Sequence, residues 1–142
     1  MIQRIQTVYL VFGALAAGAL FFLDPLWSGA VVQQFGWFTP VTAALAGLTA
    51  VGALATVFLY NNRERQRSVT AGLQVLAALL TGGVFVGLYG AGALGLRGTG
   101  GTWNVSKIAF LALPIVAYLF FMLARRAIQS DIELVRSMDR LR

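Results

Sequence analysis

The chain has 142 residues, of which 58% are hydrophobic and 11% charged, with a mean hydropathy of +0.78 and a formal net charge of +6. About a quarter of the residues in a soluble domain are charged, so this composition cannot cover a globule of this size with water-compatible surface and points to a membrane protein. Cys and His are both absent, which excludes disulfides, thiol chemistry and the commonest metal ligand and general base.

The first apolar run is TVYLVFGALAAGALFFL, residues 7–23. A helix crosses the hydrocarbon with about 20 apolar residues, so this run, extended into the interface by residues 2–6, is expected as a span. Arg4 ahead of it and the ALA within it imitate a secretory leader, but the apolar residues continue through Phe21, Phe22 and Leu23. An uncleaved anchor is the expectation. The loop DPLWSGAVVQQFGWFTP, residues 24–40, opens on Asp24-Pro25 as a helix terminator, and its Trp27, Trp37 and Phe38 are suited to the membrane–water interface.

The second span is expected over residues 41–60, followed by the basic loop NNRERQRS with Arg63, Arg65 and Arg67. Residues 68–90 form the third, which contains GVFVG, Gly83 to Gly87. Small residues four apart let helices approach closely in lipid, where apolar surface gives little drive to associate. With Ala14 and Gly18 in the first span and Ala43, Gly47 and Ala50 in the second, they fit an internal four-helix core or a homodimer seam, and the pattern does not separate the two. Residues 91–107 are glycine-rich, which predicts a flexible loop. GTGGTW within them lacks the Gly-Lys-Ser/Thr of a phosphate-binding loop, and Trp103 is expected to anchor the start of the last span.

The fourth span is expected over residues 108–124, with a kink at Pro114, which lacks an N–H and crowds the preceding turn. Across the spans no side chain ionises other than tyrosine; Thr49, Thr56, Gln74 and Thr81 are the deepest polar residues. An interhelical hydrogen bond or a bond to the preceding turn accounts for these, and Gln74 stands out because a buried amide needs partners at both ends.

The tail, residues 125–142, reads RRAIQSDIELVRSMDRLR. On a helix, Ile128, Ile132 and Val135 share one side, Leu134, Met138 and Leu141 an adjoining stripe, with Asp131 and Asp139 interrupting the apolar side. Glu133–Arg136, Arg136–Asp139 and Asp139–Arg142 are at ion-pair spacing. This pattern fits a helix that continues into the cytoplasm or bends onto the membrane surface, as a solvated flank or as a docking element.

Nine of the eleven basic residues, Arg4, Arg63, Arg65, Arg67, Arg125, Arg126, Arg136, Arg140 and Arg142, lie on one side of these spans, against Arg97 and Lys107 on the other. The positive-inside rule then places both termini in the cytoplasm. The fold expected is an all-α, integral membrane four-helix bundle, one domain with a cytoplasmic C-terminal helical extension.

The opening MIQRIQTVYL, the FLYNNRERQ after the second span, the proline of the fourth and the closing LVRSMDRLR resemble a family of small four-span inner-membrane proteins of unknown function, typical of Bacteroidetes. The resemblance runs end to end. It implies an inner-membrane bundle with both ends inside, transfers no catalytic residue, and makes the tail part of a shared pattern.

The chemically distinctive residues therefore gather on one face: Arg4, Arg63, Arg65, Arg67, Arg125, Arg126, Arg136, Asp139 and Arg140 are candidates for partner or lipid contact, while Gly83, Gly87, Pro114 and Gln74 are candidates for helix packing. A non-enzymatic scaffold or accessory subunit, needing no cofactor or metal and contacting lipids and a cytoplasmic or membrane partner, is the leading expectation. The alternative is a small transporter for a neutral solute, since spans without ionisable groups lack the usual marks of an ion path. Nucleic-acid binding is not expected, because the basic loop is short and lacks interleaved aromatics. A reporter fused after Arg142 is expected to read as cytoplasmic in a topology assay; an external signal would overturn the orientation.

Overall fold

The computed structural model describes residues 2–142, with side chains from Ile5 onward. Helix α1 (Ile2–Ala19) passes into a 3-10 turn (Leu20–Phe22); α2 (Asp24–Trp27) and α3 (Ala30–Gln34) are short; α4 (Phe38–Val57), α5 (Arg63–Gly90) and α6 (Val105–Arg140) are long. The described residues form no strand, only an isolated bridge between Arg97 and Trp103.

Local chemistry sets the ends. Helix α4 begins at Phe38, ahead of the apolar run, because Pro40 falls in the first turn, where its missing N–H has no intrahelical partner to lose. Thr39 Oγ1 donates to the carbonyl of Leu26 at 2.8 Å and fastens α2 to that start. Asn62 caps α5 by accepting from the Arg65 N–H at 3.0 Å, and Asn104 caps α6 by accepting from Lys107 N–H at 3.1 Å. Pro114 is buried and α6 runs through it as one helix.

The four long helices pack in the cyclic order α1, α4, α5, α6, with α6 closing on α1. The core has two halves. Toward the chain termini it is built from Ala14, Ala17, Ala53, Ala77, Ala117 and Ala124 around Phe121 and Leu10. Such small side chains let helix backbones come close. Toward the long connections it is bulkier, with Leu20, Phe38, Leu80, Leu88 and Phe110, and α2 and α3 close it by burying Leu26 and Val31.

The glycines of GVFVG part company. A Cβ on Gly87 would enter the ring of Phe38, so this position is required for close packing within the chain, whereas around Gly83 nothing lies within 4 Å. Gly13 makes the same kind of approach to Phe121. The glycine-rich connection is more ordered than its composition suggests. Gly100 and Gly101 take φ of 108° and 79°, closing a turn in which Gly98 N–H donates to Thr102 O at 2.8 Å. The Arg97 guanidinium sits 5.3 Å over the Trp103 ring.

Only 28–39% of each helix's most apolar window is buried. Leu15, Leu48, Val51, Val75, Leu79 and Val86 point outward. All four long helices are long and apolar enough to cross a membrane, and helices apolar on both their inner and outer faces suit that solvent. Phe38 and Phe121 are fully buried and cannot swing aside, so Gly13→Ala and Gly87→Ala are each expected to destabilise the bundle by about 1–3 kcal/mol. Gly83→Ala is expected to be neutral or slightly stabilising; thermal unfolding in detergent measures all three.

Candidate functional site

The helices meet the termini in a polar layer that clamps neighbouring helices together. On α5, Gln66, Thr70, Leu73, Ala77, Leu80, Val84 and Gly87 form one buried stripe, polar at its start and apolar beyond. Gln66 Nε2 donates to the carbonyl of Thr56 at 3.2 Å, joining α5 to the end of α4. Gln6 Nε2 donates to Ala127 O at 3.2 Å, joining α1 to α6. Arg125 Nη1 donates to Gln74 Oε1 at 3.2 Å, joining α6 to α5 below them.

A further clamp is an ion pair. Asp131, 8% exposed, lies between the buried Ile128 and Ile132 on α6 and places Oδ2 2.9 Å from Arg63 Nη1. That oxygen has no aligned hydrogen bond, so charge rather than N–H direction holds the contact. Asp131 thus does not interrupt the apolar side of the tail; it answers a cation on α5. A second pair, Arg136 Nη2 to Glu64 Oε1 at 2.9 Å, is exposed on both sides and contributes less than about 1 kcal/mol. Arg136 therefore reaches across to α5, and among the described residues none of the three pairs spaced along the tail forms. Glu133 is instead met by Gln129 Nε2 at 2.7 Å, while Gln129 Oε1 is buried without a partner.

Arg65, Arg67, Arg125, Arg126, Asp139 and Arg140 are exposed, and the side chain of Arg4 lies outside the described residues. Thr49, Thr56 and Thr81 each donate to the carbonyl four residues back, at 2.7, 2.6 and 2.7 Å, and so bring no bare hydroxyl to the apolar layer. Gln74 is buried and tied to Arg125 through its oxygen. Gln6, Gln66 and Asp131 are the positions that pattern reading missed. All three are buried, and a buried polar side chain demands a partner; that burial is not readable from the pattern of one helix.

Two of the cavities that open in this layer adjoin residues of the clamps. One of about 420 Å³ lies between α1 and the α4–α5 turn, against Gln6, Val57, Tyr60, Arg63 and Gln66. The other, about 430 Å³, lies between α5 and α6 against Arg67, Gln74, Met122, Arg125 and Arg126. At the opposite end a cavity of about 290 Å³ has Asp24, Asn104 and Lys107 in its wall, and Lys107 Nζ is engaged by Gly95 O at 3.2 Å. Among the described residues, no three Asp or Glu side chains come together as a metal site would need.

Asp131→Ala strands Arg63 in a half-buried position and is expected to destabilise the protein by about 1–3 kcal/mol, against little change for Asp139→Ala. The double replacement Arg63→Met with Asp131→Leu is expected to recover most of the loss, since apolar residues can substitute for a buried pair. Unfolding midpoints in one detergent compare the three.

A family model described as a domain of unknown function (DUF4293) matches residues 2–141. No curated protein and no solved structure matches the chain.

Proposed function

The chain belongs to the DUF4293 family, and on that footing we propose that it is a multi-pass protein of a bacterial inner membrane, with both termini in the cytoplasm, acting as a non-enzymatic scaffold or accessory subunit that docks a partner through its C-terminal arm. Arginine placement supports the orientation: the end that carries Arg63, Arg65, Arg67, Arg125 and Arg126 is the end a positive-inside bias retains.

The observation that carries the docking role is the length and exposure of α6. Its 36 residues form one helix, about 54 Å long at 1.5 Å per residue, against about 30 Å of hydrocarbon. Burial ends at Ile132, and every residue from 133 to 142 is exposed. Holding topology needs only the Arg125–Arg126 pair. The arm beyond is instead set in place by Arg63–Asp131 and Arg136–Glu64, and presents Leu134, Met138 and Leu141 along one stripe, Leu141 being 89% exposed. Asp139 and Arg140 stand beside that stripe and are not drawn into ion pairs among the described residues. An apolar strip edged by both charge signs suits a protein groove with the same mixture.

Leu134→Ser with Met138→Ser, or Asp139→Ala with Arg140→Ala, is expected to lower recovery of a specific co-purifying protein at least about tenfold in mild detergent, the loss of about 1.4 kcal/mol. Membrane insertion and melting stay unchanged. An identical set of co-purifying proteins from wild type and both variants would sink the docking role.

A further inference from the structure

The groove between α5 and α6 gathers positive charge that the protein leaves unanswered. Arg67, Arg125 and Arg126 share its wall, and among the described residues none of them has a carboxylate within ion-pair distance. The nearby acids are occupied: Glu64 by Arg136, Glu133 by Gln129 and Asp131 by Arg63. A second cavity of about 430 Å³ adjoins along Glu64, Arg67, Ser68 and Arg125, with Glu64 turned to Arg136.

The floor of the groove is built rather than incidental. Gln74 is 8% exposed and gives its oxygen to Arg125, which holds that guanidinium over the opening. Its Nε2 has no hydrogen-bond partner among the described residues, and Gln74 lines the groove. Arg67, Arg125, Arg126 and Gln74 bring donors to the groove, three of them cationic, and Gln129 and Ser130 complete its polar wall. Met122 lines the lower wall. Donors above the apolar side chain of Met122 match a phosphate joined to hydrocarbon, and guanidinium groups suit phosphate by forked, charge-assisted hydrogen bonds. The volume falls within the range of about 300–1,000 Å³ usual for small-molecule sites.

We propose that this groove binds the phosphate head group of an anionic phospholipid. Depth commits the occupant to lipid: Arg67 precedes the apolar run of α5, and Arg125 directly follows that of α6, so the arginines stand at head-group level and Met122 below it. This step rests on the bilayer placement proposed above but not on the docking arm.

The test uses the full-length protein, delipidated in mild detergent and titrated with phosphatidylglycerol or phosphatidylcholine under native mass spectrometry. Wild type is expected to hold phosphatidylglycerol about tenfold more tightly than phosphatidylcholine, and Arg67→Gln with Arg126→Gln to abolish that preference, in line with the pull of roughly fivefold that each basic residue contributes near anionic lipid. Arg97→Gln with Arg142→Gln removes the same charge elsewhere and is expected to keep the preference. Arg67→Lys with Arg126→Lys retains charge without the fork and is expected to fall between. Equal retention of the two lipids by wild type, an unchanged preference in the groove variant or equal loss in the control would overturn the site. Displacement of the lipid by glycerol 3-phosphate at matching concentration would overturn the lipid assignment, leaving a soluble phosphate compound as the occupant. Co-purification of a docked protein is read on the tail variants, so failure of either idea is visible without the other.

Discussion

Satisfying polar groups without water is the constraint on which this architecture depends. In hydrocarbon each unpaired backbone group costs several kcal/mol, and a helix answers every one of its own except at the ends. Apart from Pro114, which has no N–H to give, the long helices follow this: threonines within them return their hydroxyls to the carbonyl one turn back, and helix starts at Asn62 and Asn104 are capped by side chains. The same constraint explains why chemically rich contacts are confined to the two ends of the bundle.

The ends are built differently. One is closed by aromatic and aliphatic bulk, with α2 and α3 folded over it and Trp27, Trp37 and Trp103 exposed around its rim. The other has an alanine core tight enough to bring helices near one another, then a layer where amide and charged side chains cross between them. Close approach is what makes those polar crossings reachable. Arg63 and Asp131 meet because the small side chains below them bring α5 and α6 together, and the pair in turn sets where the projecting part of α6 starts. Packing, electrostatic clamp and exposed arm thus form one chain of causes.

Charge on this end falls into two populations. Arg63 and Arg136 are consumed in holding α5 to α6. Arg67, Arg125 and Arg126 are not neutralised by the protein among its described residues, and their field is directed outward at the level where the apolar segments end. Arg65, Asp139, Arg140 and Arg142 also stand outside any ion pair among the described residues, while Arg125 serves the fold as well through Gln74. Arg125 and Arg126 lie near the middle of α6 and Asp139 and Arg140 near its tip, so the proposed lipid and protein contacts fall on separate parts of one helix.

The four long helices were legible from the amino-acid order because the signal is local: runs of apolar residues long enough to cross hydrocarbon, broken by Asn, Pro, Gly and arginine. The back-bonded threonines and the continuing tail helix followed from the same short-range rules. Which side chains meet was not legible. Gln74 and Arg125 are 51 residues apart, Glu64 and Arg136 72, and Gln6 and Ala127 121, and spacing along one helix could not show that Arg136 turns away from its own neighbours or that Asp131 faces inward. Nor could it tell Gly87, pressed against Phe38, from Gly83, where an added Cβ would meet no neighbouring side chain within 4 Å. Composition and periodicity report how one helix divides apolar from polar; only the rotation of four helices against each other decides which of those residues become partners.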